Sequence, residues 1–266
     1  LKDSRWNGGK EMNMSGNTIL ITGGASGIGL AFAERFLQAG NEVIIAGRRK
    51  EKLEEAKEKF PKLHTKVCDV SSEAERKALF EWVTNQFPET NVLVNNAGIQ
   101  QRVNLLNIEH DWAYYKKELE INIDGPIHLS MLFIPHLRKK ETAAIINVSS
   151  GLALSPGAWV PVYSSTKAAV HSFTASMRHQ LADTSIEVIE VFPPAVNTDL
   201  GGVGLHTFGA PLDDFADGIF KGLYNGEEEI GFGDSEKRLH ASQDELKQGT
   251  KLAWEGYLSR NPDFLK

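Results

Sequence analysis

A doubly wound α/β fold, one parallel sheet with helices on both faces, is what the sequence predicts. Three observations predict it. Short apolar runs alternate with longer helical patterns from Thr18 to about residue 235. The runs lack polar alternation, so both faces of each strand are covered. No internal repeat, low-complexity tract or linker divides the 266 residues, so they read as a single domain.

The elements follow in order. "LKDSRWNGGKEMNM" is polar and aperiodic; residues 1–14 are set aside as a disordered or tag-like extension, and residues 15–266 as the folded domain. "TILIT" is a strand ending in glycines, and "GIGLAFAERFLQAG" a helix closed by Gly40. "EVIIAG" is the second strand, and Leu53, Ala56 and Phe60 mark the face of the next helix. "HTKVCDV" and "NVLVNNAG" are the third and fourth strands, separated by a helix carrying Ala74, Ala78, Leu79, Trp82 and Val83. One long helix is expected over 112–138, then the strand "AAIINVSS", a helix over 161–182 and the strand "IEVIEVFPP". A helix near 212–224 and a short strand "EEIGF" complete the rhythm, and 236–266 is a charged helical tail of unassigned role.

Composition narrows the partners. A net charge of −6 without a long basic run argues against nucleic acid or an anionic membrane. The single cysteine, Cys68, excludes an internal disulfide and reads as a small buried residue. No apolar run is long enough to span a bilayer and no signal-peptide core is present, so a cytoplasmic protein is expected. The eight histidines, His171 and His179 among them, lack zinc-like spacing, and no metal is expected.

"TGGASGIG" at 22–29 lies between the first strand and first helix. Gly23, Gly27 and Gly29 allow a tight turn and close approach of a pyrophosphate, with Ser26 and Ile28 beside it at the N–H-rich helix start. The second strand ends in Gly47, Arg48 and Arg49, where a fold selecting NAD commonly has an acid. Two guanidiniums there suit a 2′-phosphate, so NADP(H) is the expected cofactor, with NAD(H) as the alternative.

"YSSTK" at 163–167 puts Tyr163 and Lys167 on one helix face, one turn apart. With the preceding motifs it resembles the short-chain dehydrogenase/reductase family over about 18–235. Asp69–Val70 is similar to that family's adenine-side pair, and "NNAG" (Asn95, Ala97, Gly98) to its signature after the fourth strand. Asn122 in "INIDG" falls where the family has its catalytic asparagine, and Ser150 precedes Tyr163 by the family's thirteen residues. After the sixth strand the chain reads "PPAVNT" where the family usually has P-G-x-V-x-T. Pro193, Val196 and Thr198 are kept, and Pro194 replaces a glycine, removing an N–H and restricting its predecessor. The run resembles a branch associated with D-alanylation operons of bacteria.

The resemblance implies a Rossmann-like fold and a carbonyl/alcohol oxidoreductase. It implies Tyr163 as general acid/base, Lys167 lowering the tyrosine pKa and holding the nicotinamide ribose, Ser150 orienting the reacting oxygen, and Asn122 positioning a relay water. A homodimer or homotetramer acting on a small-molecule carbonyl or alcohol follows from the same source. Two alternatives stay open: an NAD(H)-dependent dehydrogenase of the family, and a non-catalytic NADPH-binding sensor or interaction protein. The segment 199–211 reads as a lid over substrate.

Overall fold

The computed structural model describes residues 13–266. Seven strands form one parallel sheet in the order β3-β2-β1-β4-β5-β6-β7. They are β1 (Thr18–Thr22), β2 (Glu42–Gly47), β3 (His64–Val67), β4 (Thr90–Asn95), β5 (Ala143–Val148), β6 (Ile186–Phe192) and β7 (Glu229–Gly231). Chain order reverses direction between β1 and β4, and the carboxyl ends of those two strands open a crevice of the kind that binds ligands in open α/β sheets.

Alternate residues of each strand feed two cores. Ile19 and Ile21 point to one face with Val43, Ile45, Val92 and Val94. There they meet Phe32 and Phe36 of α1 (Gly27–Gln38), Leu53 of α2 (Lys50–Lys59), and Phe215 and Ile219 of α7 (Leu212–Tyr224). Leu20, Ile44 and Leu93 point to the other face. That face is covered by Leu79 of α3 (Glu73–Gln86), Leu129 and Phe133 of α5 (Gly125–Leu137), and Met177 of α6 (Pro161–Leu181). The period of two, with both sets apolar, is why the strands read as unbroken hydrophobic runs.

Most expected elements are present within a few residues of their expected ends, with two differences. The helix expected over 112–138 is two helices, α4 (Trp112–Leu119) and α5, joined by a π-helical turn at Glu120–Asp124. Pro126 explains the break: it has no N–H to give the carbonyl of Asn122, so the ordinary ladder cannot continue through it. The tail forms α8 (Asp234–Leu239) and α9 (Gln243–Arg260), the latter opened by a capping box between Ser242 and Glu245.

Of the expected extension, residues 1–12 lie outside the described residues. Asn13 and Met14 are tied in: the Asn13 carbonyl accepts from Asn17, that of Met14 accepts from Asn41, and Met14 packs on the first core. Among the described residues, no helix is long and apolar enough to cross a membrane.

Candidate active site

One cleft of about 1020 Å³ runs along the carboxyl ends of β1, β2, β4, β5 and β6. The glycine turn forms its first wall. Gly23 has φ +64, and a Cβ there would lie 2.8 Å from Ala97 Cα, so the turn and the "NNAG" segment touch backbone to backbone. Asn96 locks that contact, donating to the carbonyls of Thr22 (3.0 Å) and Gly23 (3.2 Å), while the Thr22 hydroxyl accepts from the amides of Asn96 and Ala97. Helix α1 starts against the cleft with no acid in its first turn and no side-chain cap from Ser26. Its first N–H groups lack intrahelical partners and face the cleft at Gly27 and Ile28. A pyrophosphate fits that arrangement.

Arg48 and Arg49 line the same end. Arg49 donates to the Ser26 hydroxyl at 2.7 Å, and neither arginine has a carboxylate within ion-pair distance among the described residues. Val70, Ala97, Gly98, Pro193, Pro194, Val196 and Thr198 also line the cleft. Thr198 sits against Gly27, and residues 195–197 are held by a short parallel bridge, with the Ala210 amide donating to the Ala195 carbonyl at 2.8 Å. This pairing carries the segment past Pro194.

Four expected residues do not line the cleft. Asn95 is buried beneath it, donating to Ser130 (3.0 Å) and Asn147 (2.9 Å). The Asp69 carboxylate accepts from Ser71 and faces Lys117 at 3.5 Å, which holds it below the usual carboxylate range against the opposing pull of burial. Gly29 supports the turn from behind; a Cβ there would be 2.5 Å from Asn96 Nδ2. Asn122 sits in the π-helical turn, its amide oxygen accepting from the Ile99 N–H (2.9 Å) and its nitrogen donating to Ile99 (2.9 Å) and Thr166 (3.1 Å). A Cβ on Gly98 would lie 3.4 Å from Asn122 Oδ1 and 3.7 Å from Lys167 Nζ, so that glycine lies against both groups.

Tyr163, Lys167 and Ser150 meet at the middle of the cleft. Helix α6 presents the first two from consecutive turns. Lys167 Nζ stands 5.6 Å from the Tyr163 ring centroid and donates to the Val148 carbonyl at 2.9 Å. Ser150 follows β5 and its hydroxyl accepts from the Leu152 amide. Burial pushes the Tyr163 phenol above its ordinary value of 10.0; hydrogen bonding with Ser150 pulls it down, and the Glu118 charge pushes it up. Burial lowers Lys167 from 10.5 to about 8, opposed by Glu190 and Glu118. Desolvation is the largest effect on both groups.

Three features lay outside the sequence reading. Glu118, one turn before Asn122, is fully buried and pushed up to about 7 by desolvation, against the amide hydrogen bond it accepts from Gln101. The tail forms the far wall: Tyr257 of α9 stacks on Trp159 with centroids 4.8 Å apart and planes 7° apart, and on Trp254 at 5.8 Å. Helix α8 is fixed by Ser235, whose hydroxyl donates to the Phe192 carbonyl. The cysteine is indeed buried, and burial raises its thiol to about 12. His171, Glu190 and Glu229 converge within 4.8 Å; Arg178 pairs Glu229 at 3.0 Å and His171 bonds Glu190 at 3.0 Å, while the second oxygen of buried Glu190 has no partner among the described residues.

Comparison with known proteins agrees with this geometry. The family model for short chain dehydrogenase matches residues 17–203. The uncharacterized oxidoreductase DltE of Bacillus subtilis is 48% identical over 224 residues, covering 82% of this chain and 89% of its own. A 3-ketoacyl-(acyl-carrier-protein) reductase from Brucella melitensis, complexed with NADH, superposes with a TM-score of 0.74 at 26% identity, covering 82% of this chain and 97% of that one. A short-chain dehydrogenase from Sphingobium yanoikuyae, in complex with NADPH, shares the fold with a TM-score of 0.75 at 23% identity, covering 91% and 95%.

Proposed function

The chain belongs to the short-chain dehydrogenase family, and on that premise we propose that it is an NADP(H)-dependent oxidoreductase interconverting a carbonyl and an alcohol. The observation that carries the reading is the meeting of Tyr163, Ser150 and Lys167 in one cleft with the uncapped start of α1. The preference for NADP(H) rests on Arg48 and Arg49, two cleft guanidiniums without a carboxylate partner.

The bound nicotinamide supplies or accepts the hydride. Ser150 holds the reacting oxygen by a hydrogen bond and directs it at the phenol. In reduction Tyr163 is the proton donor, and its raised pKa keeps that proton in place at neutral pH. In oxidation the phenol must first give up its proton, and the Lys167 ammonium below its ring favours that loss electrostatically. Lys167 would also hold the nicotinamide ribose. A water between Lys167 and Asn122, both of which lie against Gly98, would return protons from solvent. The proposal extends to a homodimer or homotetramer in the cytoplasm, as the family resemblance implies.

The test is consumption of NADPH and NADH with a panel of aldehydes and ketones, beside a binding titration of both cofactors. Turnover with NADPH ahead of NADH is expected. Turnover with NADH preferred would support the NAD(H) alternative, and binding without turnover of any carbonyl the sensor.

A further inference from the structure

We propose that the substrate is a small carbonyl compound carrying its own anionic group, a carboxylate or phosphate, and that Arg238 is the residue that binds it. This deepens the reading above and rests on it for the reaction, though not for the anion site itself.

Helix α8 has no role in the cofactor half of the cleft, yet it is packed hard against the turn that follows Ser150. A Cβ on Gly151 would lie 2.9 Å from Ser235 Cβ and 3.4 Å from Arg238 Nη1. Gly151 directly follows Ser150, so the guanidinium stands beside the turn that carries the serine. Arg238 is half-buried and lines the cleft, and its guanidinium makes no ion pair or hydrogen bond among the described residues. Burial lowers its pKa, the mark of a cation taken from water without full compensation. A guanidinium kept partly dry beside the reacting position has a fork of donors free for a planar oxyanion.

The surroundings add charge of the same sign. Arg102 lies over the Tyr257 ring, 5.9 Å from its centroid, and Arg260 ends α9; both line the cleft and neither has a carboxylate partner among the described residues. His206, in the loop 199–211, is held below its ordinary value by burial and by Arg102, so it stays neutral at pH 7. The opposing charges are Asp199, exposed on the loop, and Asp234, one turn before Arg238 but paired with Lys237 at 2.9 Å. Three unpaired arginines against one free carboxylate leave this end of the cleft positive in a chain whose net charge is −6. Trp159, Leu152 and Leu205 supply apolar contact for the carbon between carbonyl and anion.

The experiment compares a matched pair of aldehydes, butanal and 4-oxobutanoate, in wild type, Arg238→Gln and Arg238→Lys. Wild type is expected to favour 4-oxobutanoate, and Arg238→Gln to lower the anionic-to-neutral ratio of kcat/KM about tenfold to a hundredfold. Arg238→Lys recovers part of it, since charge returns without the fork. An unmoved ratio, or a wild type favouring butanal, overturns the proposal. A second readout needs no turnover: titration of the cofactor-loaded protein with succinate and with inorganic phosphate, which also separates the two anion chemistries. Weaker binding in Arg238→Gln, with no carbonyl reduced by any variant, sustains the anion site and fails the oxidoreductase reading. Equal binding in all three proteins, with butanal turned over, fails the anion site alone. Arg260→Gln, at an exposed position, repeats both measurements should Arg238→Gln fold poorly; no loss of anion preference or binding in it, with none measurable in Arg238→Lys, also overturns the proposal.

Discussion

Glu118 and Asn122 hold alternate amides of one loop. The Glu118 carboxylate accepts from the Gln101 N–H at 3.0 Å, and the Asn122 amide oxygen accepts from the Ile99 N–H at 2.9 Å. Two side chains one turn apart thus pin the segment that carries Gly98 beneath Lys167. One of them is a buried acid whose second oxygen has no partner among the described residues.

That acid predicts a pH effect. Glu118 has its folded pKa raised from 4.5 to about 7, so the native state holds the extra proton between those values. Its contribution to stability is present below about 4.5 and is lost as pH rises through about 7. Glu118→Gln is expected to be more stable than wild type above pH 7, by about 1–3 kcal/mol. Because the Glu118 charge raises both Tyr163 and Lys167, the same variant moves the acidic limb of alcohol oxidation to lower pH. Denaturant unfolding and a pH–rate profile check both; a limb that stays in place rules out electrostatic coupling to Tyr163.

Tyr163→Phe keeps the ring and its packing but has no proton to give. Turnover is expected to fall by about 10²–10⁴ while cofactor affinity changes little. Steady-state rates and a cofactor titration are the measurements. Near-normal turnover in a folded variant would remove Tyr163 from the chemistry.

Lys167 opposes stability and function to each other. Its folded pKa is lowered to about 8 from 10.5, so the unfolded chain binds the extra proton between those values. Wild-type stability should therefore rise with pH from about 8 until about 9, where the Cys68 thiol, raised from 9.0 to about 12 in the fold, begins to cancel the slope. Lys167→Met should lose activity and cofactor affinity, gain about 1–3 kcal/mol at pH 7, and lack that rise. Unfolding curves across pH 7–10 test it; a parallel pH dependence in both proteins assigns the rise to other groups.

Arg48→Asp, alone or with Arg49→Ala, should shift preference from NADPH toward NADH. The 2′-phosphate loses a charge-assisted bond worth about 1.5–3 kcal/mol, and the NADH 2′-hydroxyl gains a partner. The ratio of kcat/KM for the two cofactors with one carbonyl should move about tenfold to a hundredfold. A fixed ratio, or a wild type already favouring NADH, refutes the NADP(H) assignment.

The α/β order was legible because strand burial writes itself into sequence as unbroken apolar runs such as "TILIT" and "AAIINV". The glycine turn, Ser150 and Tyr163–Lys167 were legible because their spacing is local. Asn95 and Asn96 were not distinguishable, since two adjacent asparagines differ only in which way the strand end turns them: one into the interior, the other onto Gly23. The π-helical turn was hidden behind apolar periodicity, although Pro126 was its visible cause. The tail was legible as helical, but its place was not. Its placement depends on Tyr257 meeting Trp159, a contact between rings far apart in sequence.

The tail's stacking has an evolutionary corollary. The stretch shared with the family model ends at residue 203, whereas Arg238, Tyr257 and Arg260 all come after it. The stretch matched by the family model and the helices that follow it therefore meet across a single crevice. Divergence in α8 and α9 can retarget such a protein while its nucleotide half is left untouched, so relatives with matching glycine turns need not share a metabolite. Sorting them by what stands at position 238, and by whether an aromatic pair anchors the last helix, would group them by what they act on.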